Sequence, residues 1–453
     1  MSAPSPAISG AQGRATKGSR EYTSWGRYPR VQHSVIRHVN WIDQLAPAML
    51  EAAEGGLLPY GLGRSYGDSC LNEGRGLIDC SRLNRILSFT PESGLVVCEV
   101  GVTLADILDV FATKGWFLPV TPGTRFVTVG GAIANDVHGK NHHRAGTFGC
   151  HVRKLGVYRS DYGLVECSPE VNGDLFTATI GGLGLTGVIA WAEIQLKPIR
   201  STMIEAETLP FHSLDDFLAL SNESDPKFEY TVAWIDCFSR MHARGLFFRG
   251  NHSTVPGRAS SPGARLSVPF AFPEWFLNRG TMRLFNTAYY AWHSFRKSRS
   301  VIPYESFFYP LDSIRRWDLI YGKRGFLQYQ CVIPETRVAA FQELLDLVSR
   351  AGMGSFLGVM KRFGSMPSPG ILSFPRPGLT LSLDFPMRGE GTLQLLNALD
   401  RVVRDNGGAL YPAKDARMSA AMFHTSFPEW RSLRRYIDPK LSSSFWRRVA
   451  VGA

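Results

Sequence analysis

Short hydrophobic runs alternate with glycine-rich turns over the first part of the chain, from Val35 to about Pro198. The runs ILSF and GLVVCEV are separated by the turn sequence TPES and predict a β-hairpin. Directly after them, LADILDVFATKG places apolar residues at helical spacing, with Thr103 in position to cap the helix. Strands and helices are therefore mixed within one unit, and the pattern predicts an α+β fold.

Three further strands are predicted beyond Gly325, in FLQYQCVIP, SFLGVMKRFG and LTLSLDFP, with a helix over RVAAFQELLDLVSRAG after the first. Side chains on a strand alternate between two faces, so each segment has one face that bears polar residues. The opposite face of the last strand is purely leucine and belongs on a core. The polar faces are solvated or line a pocket, and we favour a pocket because apolar residues neighbour them. Their residues are Gln328 and Gln330, Lys361 and Phe363, and Thr380, Ser382 and Asp384.

The segment from about Arg244 to Ser300 is basic and is punctuated by Pro, Gly and Ser. It contains PFAFPEWFLNRGTMRLFNTAYYAWHSFRKSRS, in which aromatic residues and arginines interleave. We expect part of this segment, residues 244–300, to be mobile. Its composition suits contact with lipid headgroups, and a packed surface helix under a loop is the alternative.

The chain of 453 residues is 44% hydrophobic and 20% charged, which is typical of a globular protein of two or three domains. Residues 1–30 hold five Lys or Arg and one acidic residue, and residues 431–453 hold six and one. The two ends thus carry most of the formal net charge of +11, and nucleic-acid binding is not expected. Basic ends suit an anionic membrane surface or a phosphorylated lipid, or act only as solubilising tails.

Neither a transmembrane helix nor a secretory signal is predicted, because no apolar segment is long and uninterrupted enough. We expect residues 1–24 to be a disordered basic leader. The expected location is cytoplasmic, either free or bound peripherally at the inner face of the membrane. Seven cysteines are scattered without a CxxC pair, which predicts reduced, mostly buried thiols and no metal site.

Three glycine-rich segments occur in the first half: GLGRSYGD at 61–68, TPGTRFVTVGGAIANDVHGK at 121–140 and IGGLGLTGVI at 180–189. The third contains a formal G-x-G-x-x-G between Gly182 and Gly187. A helix-like segment precedes it and a strand-like segment follows, which is the reverse of the order that a Rossmann dinucleotide site requires. A different diphosphate cradle is therefore predicted, in which backbone N–H groups of glycine turns form a concave anion site.

These segments, together with GFLQYQCVIP and LYPAKDAR, resemble the vanillyl-alcohol-oxidase (PCMH-type) FAD-binding family over nearly the whole chain. The resemblance implies a two-part FAD-binding domain formed by residues 25–200 and 409–453, with an inserted substrate domain at 201–408 that contains an antiparallel sheet. Many relatives attach the flavin through a histidine in the first loop, but that position is Arg64 here, and VTPGT contains no cysteine. We therefore expect non-covalent FAD.

Oxidation of a secondary alcohol requires hydride transfer to the flavin, loss of the hydroxyl proton and a cation near the reduced ring. The resemblance places Lys414 beside the isoalloxazine, Tyr411 close to it, and Tyr66 and His138 on the other side. From the residues alone, a surface lysine and a structural histidine are the more common cases. The implied FAD-binding set is Gly61, Gly63, Arg64, Ser65, Tyr66, Gly67, Thr121, Pro122, Gly123, Thr124, Val129, Gly130, Gly131, Ala132, Asn135, His138, Gly139, Asn141, Thr147, Gly182, Gly187, Ile189, Tyr411 and Lys414.

The resemblance also implies a substrate pocket in which amides bond sugar hydroxyls and Lys361 meets a phosphate. Relatives carry Asn and Cys where this chain has Thr380 and Ser382. A serine lacks the nucleophilicity of a thiolate, so thiol-directed reagents are not expected to react there. The implied pocket residues are Gln328, Gln330, Lys361, Phe363, Thr380, Ser382 and Lys140.

The activity implied by the resemblance is FAD-dependent oxidation of the 2′-hydroxyl of a polyprenyl-phosphate-linked ribose to the 2′-keto sugar. This is the first half of an epimerisation that supplies arabinose for cell-envelope glycans. A separate NAD-dependent keto-sugar reductase would complete it, and a quinone or oxygen would reoxidise the flavin. The alternatives are an oxidase of free aldonolactones or alditols, and a flavin-less protein that binds sugar or lipid.

Overall fold

The computed structural model describes residues 21–238, 243–257, 266–294 and 299–450. Their fold is α+β, as predicted, with strands that form an eight-stranded sheet, a five-stranded sheet and three smaller ones. The strands are β1 (Ile36–His38), β2 (Pro59–Tyr60), β3 (Leu77–Asp79), β4 (Ile86–Thr90), β5 (Leu95–Glu99), β6 (Trp116–Phe117), β7 (Val152–Arg159), β8 (Gly163–Cys167), β9 (Val188–Gln195), β10 (Lys197–Pro198), β11 (Met203–Phe211), β12 (Tyr230–Ile235), β13 (Gly245–His252), β14 (Leu266–Ser267), β15 (Arg299–Pro303), β16 (Ile314–Arg315), β17 (Phe326–Ile333), β18 (Val359–Phe363), β19 (Gly378–Pro386) and β20 (Ala409–Leu410). The helices are α1 (Leu45–Leu50), α2 (Leu104–Phe111), α3 (Val129–Ala134), α4 (His142–Ala145), α5 (Gly173–Thr179), α6 (Leu214–Ser224), α7 (Arg279–Ser294), α8 (Tyr304–Phe308), α9 (Val338–Ala351), α10 (Glu390–Asp405), α11 (Ala420–Ser426), α12 (Trp430–Leu433) and α13 (Ser444–Val449).

The N-terminal part combines a parallel sheet, β1-β3-β2, with an antiparallel sheet of order β4-β5-β9-β7-β8. The predicted hairpin is confirmed as β4 and β5. The predicted cap is confirmed as well, because the Thr103 hydroxyl accepts a hydrogen bond from the Asp106 backbone N–H at 3.0 Å. Helix α2 then buries its apolar stripe in the core that these sheets share.

The second part is built on the eight-stranded sheet, in the order β15-β11-β13-β12-β18-β19-β17-β20. The three strands predicted beyond residue 325 are confirmed as β17, β18 and β19, which are antiparallel neighbours. Leu379, Leu381 and Leu383 lie on one face of β19 and belong to the same core as α9 and α10. The polar face of these strands is thereby directed toward the N-terminal part.

Part of the segment 244–300 was predicted to be mobile, and that prediction is compatible with an ordered strand within it. Residues 245–252 form β13, an interior strand between β11 and β12, with Leu246 and Phe247 in the core. The prolines, glycines and serines of the segment flank this short run, which pairs on both edges. Residues 279–294 form the surface helix α7, which buries only Met282 and Asn286. Residues 258–265 and 295–298 lie outside the described residues.

Both ends of the described chain pack against the body. Residues 1–20 of the predicted leader lie outside the described residues, but Ser24 is buried and the Tyr22 hydroxyl donates to Asp79 Oδ2 at 2.6 Å. The ordered chain therefore begins before residue 25. At the other end, β20 pairs with β17, and Arg448 of α13 binds Asp68 and Asp415, so this basic end is not a free tail. In the described part of the chain, no helix is long and apolar enough to span a membrane.

Candidate active site

A cavity of about 2110 Å³ opens between the glycine-rich segments and the polar face of the eight-stranded sheet. Small-molecule pockets usually measure about 300–1,000 Å³, so this one has room for a large cofactor together with a second ligand. Its walls come from the first glycine loop at 61–66, from the second and third glycine segments, from β17 to β19 and from the turn that ends at Lys414. The cavity thus brings together parts of the sequence that lie hundreds of residues apart.

The first glycine loop needs its glycines because other groups approach its backbone closely. A Cβ atom on Gly61 would lie 2.5 Å from Thr128 Oγ1. Gly63 has a φ of +63°, and a Cβ there would lie 2.0 Å from the Tyr60 hydroxyl. The missing side chains therefore let the loop pack closely against Thr128 and Tyr60 while it lines the cavity. The predicted residues of this loop that line it are Gly61, Gly63, Arg64, Ser65 and Tyr66.

Arg64 occupies the position at which many relatives carry the flavin-bonding histidine. Its Nε donates to the Phe126 carbonyl oxygen at 3.1 Å, and its guanidinium lies 4.3 Å from the centroid of the Trp25 ring. Burial lowers the pKa of Arg64, and the charge of Asp312 opposes that shift. A guanidinium is not a nucleophile, so this arrangement suits non-covalent cofactor binding.

The second and third segments continue the same wall. Thr128 caps α3, accepting from the Gly131 backbone N–H at 3.1 Å, and a Cβ on Gly130 would lie 2.9 Å from Val100 Cβ. Most of the predicted cofactor residues in these segments line the cavity: Thr121, Pro122, Gly123, Thr124, Gly130, Gly131, Asn135, His138, Gly139, Gly187 and Ile189.

Six predicted cofactor residues do not reach the cavity wall and instead support it. Val129 and Ala132 lie on the side of α3 that packs into the core, and both are fully buried. Asn141 donates to the Pro119 carbonyl oxygen at 2.8 Å. A sequence motif marks every residue of a segment. Only some of the side chains of that segment point toward the cavity, and the others point into the core. The six are Gly67, Val129, Ala132, Asn141, Thr147 and Gly182.

The sheet wall carries a row of polar side chains. The register pairs Gln328 with Asp384, Gln330 with Ser382, and Lys361 with Thr380, and all six line the cavity. The Oε1 atoms of Gln328 and Gln330 are buried without a hydrogen-bond partner. Buried polar atoms are rarely left unpaired, so these two oxygens are available to accept from the hydroxyls of a ligand.

His138 is held between two of these side chains. Gln330 Nε2 lies 2.9 Å from His138 Nε2, and Lys361 Nζ lies 3.1 Å from His138 Nδ1. Burial lowers the pKa of His138, and the charge of Lys361 lowers it further, so the ring is neutral. One ring nitrogen of a neutral histidine must donate. If burial leaves Lys361 uncharged, its nitrogen accepts from Nδ1–H and Gln330 Nε2 donates to the Nε2 lone pair, which leaves Gln330 Oε1 without a partner.

Phe363 is a predicted pocket residue that does not line the cavity. Its ring centroid lies 4.8 Å from that of His138 and 4.6 Å from that of His142. Phe363 therefore fixes the position of His138 and does not contact the cavity itself.

Lys414 enters the cavity from the C-terminal segment. It ends the 3₁₀ turn Pro412–Lys414 that follows β20, and its Nζ donates to Ser382 Oγ at 3.3 Å. The same ammonium lies 5.6 Å from the centroid of the Tyr66 ring. Burial lowers the pKa of Lys414 to about 8, partly offset by Asp384. The neighbouring Tyr411 hydroxyl donates to the Asn135 carbonyl oxygen at 2.9 Å, which ties this segment to the second glycine segment.

Two more lysines lie in the same cavity. Burial lowers the pKa of Lys140 to about 7, and its Nζ donates to the Phe307 carbonyl oxygen while lying 4.6 Å from the Phe307 ring centroid. The pKa of Lys361 is also lowered, by burial first and then by the charges of Lys414 and Lys140. Three lysines that approach one another in a buried space favour an anionic ligand, which would restore their charge.

Sequence reasoning assigned no role to several parts of the cavity, among them most of residues 310–320. The segment 23–27 lines it, with Arg27 paired to Asp318 at 3.3 Å, although its first residues were assigned to the leader. Asp384 lines it as well, 1% exposed, and strand alternation had already placed it beside Thr380 and Ser382. The alternation was the available signal for Asp384, whereas no local pattern marks the N-terminal segment.

Comparisons with known proteins identify relatives of the whole chain. Residues 35–168 match a family model described as FAD binding domain. The chain is 36% identical to decaprenylphosphoryl-beta-D-ribose oxidase of Mycolicibacterium smegmatis, over 96% of this chain and 98% of that protein. It is 31% identical to an uncharacterized protein in the mprA 5′ region of Streptomyces coelicolor, over 77% of this chain and 100% of that protein. L-gulonolactone oxidase of Mus musculus is 31% identical over only 30% of this chain.

The residues of the cavity fit FAD. Glycines line one region, and a Cβ on Gly123 of that region would meet no atom within 4 Å, so open space borders its backbone, which a diphosphate can approach closely. The buried ammonium of Lys414 enters the same cavity, 5.6 Å from the centroid of the Tyr66 ring. The orphaned amide oxygens of the sheet wall remain available for a second ligand.

Proposed function

Because this chain belongs to the PCMH-type FAD-binding flavoproteins and, within them, to the family of decaprenylphosphoryl-beta-D-ribose oxidases, we propose that it oxidises the 2′-hydroxyl of a polyprenyl-phosphate-linked ribose to the 2′-keto sugar. FAD is its cofactor, bound without a covalent link. The observation that carries the proposal is that one cavity contains both the glycine-lined segments and a sheet wall of amides and lysines. In this proposal the reaction is the first half of an epimerisation to the arabinose form.

When bound, FAD supplies the hydride acceptor. Below its pKa of about 8, Lys414 supplies a positive charge in the cavity, and Tyr66 lies against that ammonium. With its ring proton on Nδ1, neutral His138 has a lone pair on Nε2 with which to take the hydroxyl proton; uncharged Lys361, 3.1 Å from Nδ1, then accepts the Nδ1 proton and becomes an ammonium.

The sheet wall suits a phosphorylated sugar. Gln328 and Gln330 offer buried acceptor oxygens to sugar hydroxyls, which supply the donors that these atoms lack. Lys361 and Lys140 offer cations to the phosphate. A bound phosphate would raise the pKa values of both lysines, opposing the effect of burial. Binding of an anion thus offsets the free-energy cost of burying the charged forms of these lysines.

The substrate also needs a place for its lipid chain, and the outer rim of the cavity provides apolar surface. Phe285 and Tyr289 of α7 line the cavity, while Leu284 and Trp292 of the same helix are 72% and 60% exposed. We propose that this rim contacts a membrane surface peripherally, where basic residues of α7 meet anionic headgroups. Leu284→Ser should weaken co-sedimentation with anionic phospholipid vesicles at unchanged flavin content, and unchanged co-sedimentation would argue against the contact.

Two partners follow from the chemistry of the proposed reaction. The keto sugar has to be reduced to complete an epimerisation, which calls for an NAD-dependent keto-sugar reductase. The reduced flavin needs an electron acceptor, and a quinone suits an enzyme at a membrane surface.

Anaerobic bleaching of the flavin absorbance tests the substrate. Polyprenyl-phosphoryl-ribose should bleach it, whereas free alditols and aldonolactones should not. Lys414→Met should slow bleaching by at least about a hundredfold, the usual scale for loss of a group that stabilises developing charge. The matched control Lys154→Met, at a surface lysine paired with Glu166, should behave like the parent protein. Bleaching by the free sugars alone would replace the proposal with the alditol or aldonolactone oxidase.

A further inference from the structure

Asp384 is a buried carboxylate on the cavity wall to which the reaction above assigns no task. It lies on β19 opposite Gln328 of β17 and is 1% exposed. Gln328 Nε2 donates to its Oδ1 at 2.5 Å, and the Tyr321 hydroxyl donates to its Oδ2 at 3.2 Å. Both carboxylate oxygens therefore have a donor.

The ionisable groups around Asp384 come from three other elements. Lys414 faces it from the C-terminal turn, and Tyr321 from the 3₁₀ turn Trp317–Tyr321. Tyr66 faces it from the first glycine loop, where Gln328 also forms a hydrogen bond with the Tyr66 hydroxyl. Lys414 is the only cation among the three, so the field at Asp384 depends chiefly on that one residue.

Asp384 differs from the other acidic residues of the cavity, because each buried alternative is engaged elsewhere. Asp318 pairs with Arg27 at 3.3 Å. Asp312 accepts from the Arg125 backbone N–H at 3.0 Å. Ser382 Oγ accepts from Lys414 Nζ at 3.3 Å, and Asp384 lies two positions beyond Ser382 on the same face of β19, so the carboxylate and the ammonium share one wall of the cavity. Within the described chain, Asp384 is the acidic group whose charge raises the pKa of Lys414.

The pair shares a window of pH in which both groups are charged. Burial raises the pKa of Asp384 to about 6, against the opposing effects of the Gln328 hydrogen bond and the charge of Lys414. Burial lowers the pKa of Lys414 to about 8, and Asp384 opposes that shift. Below the window the carboxylate is protonated, and above it the ammonium is lost.

The charge of Asp384 also fixes an amide. An ionised carboxylate has acceptors and no donor, so Gln328 must turn Nε2 toward it. The amide oxygen of Gln328 is then left buried without a partner. Asparagine at position 384 would remove this constraint, because its amide N–H could donate to that oxygen.

We propose that Asp384 is a positioning residue of the oxidation, which keeps Lys414 in the ammonium form and keeps the Gln328 carbonyl oxygen free for a sugar hydroxyl. The second part rests on the proposed function for the identity of the sugar. The first part does not depend on the substrate.

A pH titration of the visible spectrum of the FAD-loaded protein, without substrate, tests the pairing. The parent protein should show two transitions, near the pKa values of about 6 and about 8. Asp384→Asn should abolish the lower transition and move the upper one down by roughly one pH unit, as expected when a nearby opposite charge is removed. Lys414→Met should abolish the upper transition.

Two further variants separate charge from folding. Asp384→Glu keeps the charge and should keep both transitions. Tyr321→Phe removes one donor to the carboxylate from a residue off the cavity wall, so the lower transition should move to higher pH. A lower transition that persists in Asp384→Asn, or that stays unmoved in Tyr321→Phe, would overturn the proposal. If the titration behaves as expected but the ribose lipid does not bleach the flavin, the pairing stands and the proposed substrate fails.

Discussion

Replacement of Arg448 by alanine tests how the C-terminal helix holds the site together. Arg448 Nη2 lies 2.6 Å from Asp68 Oδ1 and 3.0 Å from Asp415 Oδ2. Asp68 follows the first glycine loop and Asp415 follows Lys414, and the two aspartates are 4% and 7% exposed. The Arg448 guanidinium therefore holds the segment that follows the first glycine loop against the segment that follows Lys414.

The expected loss follows from burial. Removal of one member of a buried ion pair costs about 3–5 kcal/mol, because its partner stays buried and unpaired. The Arg448 side chain is 26% exposed, so water replaces part of the interaction. We therefore expect the free energy of unfolding of the apo-protein to fall by about 3 kcal/mol near neutral pH, the lower end of that range.

The loss should depend on pH with a definite sign. Burial already raises the pKa of Asp68, against the opposing effect of Arg448, and removal of the arginine raises it further. An aspartate whose folded-state pKa exceeds its unfolded value destabilises the fold increasingly as the pH rises between the two. The deficit of Arg448→Ala should therefore shrink on acidification, as Asp68 takes up a proton.

Urea unfolding near neutral pH and at mildly acidic pH measures the loss of stability and its dependence on pH. The comparison is valid when the slope of the unfolding free energy against urea concentration is the same in all variants. Arg447→Ala is the matched control, because Arg447 donates to Asn72 Oδ1 at 2.6 Å, to the Glu73 carbonyl oxygen at 3.1 Å and to Ser444 Oγ at 3.5 Å, but to no carboxylate. That control leaves no buried charge unpaired and should lose only about 1.5 kcal/mol, the lower end of the range for hydrogen bonds to a charged group. A deficit for Arg448→Ala no larger than that of the control, or one that grows on acidification, would refute the reasoning.

Two further predictions concern the cavity. Gly67→Ala would place a Cβ 1.7 Å from the Asp415 carbonyl oxygen, so FAD affinity measured by fluorescence titration should fall at least about tenfold, whereas Gly391→Ala, whose Cβ meets no atom within 4 Å, should bind FAD normally. Equal FAD affinities of the two variants would show that the backbone around Gly67 moves to accommodate the new methyl group without a loss of binding. Ser382→Cys would place a thiol where the hydroxyl lies 3.3 Å from Lys414 Nζ, and a nearby cation activates thiols. Intact-mass analysis after maleimide treatment should then show one adduct more than in the parent protein. The two cysteines of the parent cavity should stay unreactive, because burial raises their pKa values to about 12. An equal number of adducts in the two proteins would contradict this prediction.

The elements that depend on local patterns were predictable from the sequence. The hairpin of β4 and β5 follows from two β-rich runs around a turn, and the cap at Thr103 from one side chain at the start of an amphipathic helix. Strand alternation likewise placed Gln328 and Gln330 on one face. Each of these inferences uses only residues within a few positions of one another, so the rest of the fold does not alter them.

The placement of single side chains relative to the cavity was less predictable. Phe363 shares a strand face with Lys361, yet its ring packs on His138 and does not line the cavity. Strand alternation predicts the direction in which a side chain points. It does not predict which group the side chain meets there, and here that group is His138, more than 200 residues away in the sequence. The same limit explains why half of α3 belongs to the core although its whole motif suggested cofactor contact.

Lys414 shows most clearly why local reasoning could not place a residue that lines the cavity. Its turn is fixed by backbone hydrogen bonds at 3.0 Å from Tyr411 N–H to the Gln330 carbonyl oxygen, and at 2.9 Å from Tyr66 N–H to the Ala413 carbonyl oxygen. Backbone bonds of this kind leave no residue-specific mark in the sequence, so a lysine in such a turn cannot be told from a surface lysine by composition. They do, however, join the first loop, the sheet and the C-terminal segment at one point. The position of the cation therefore depends on the assembly of all three, and a substitution that separates any two of them should disturb the cavity even where it touches none of the polar side chains.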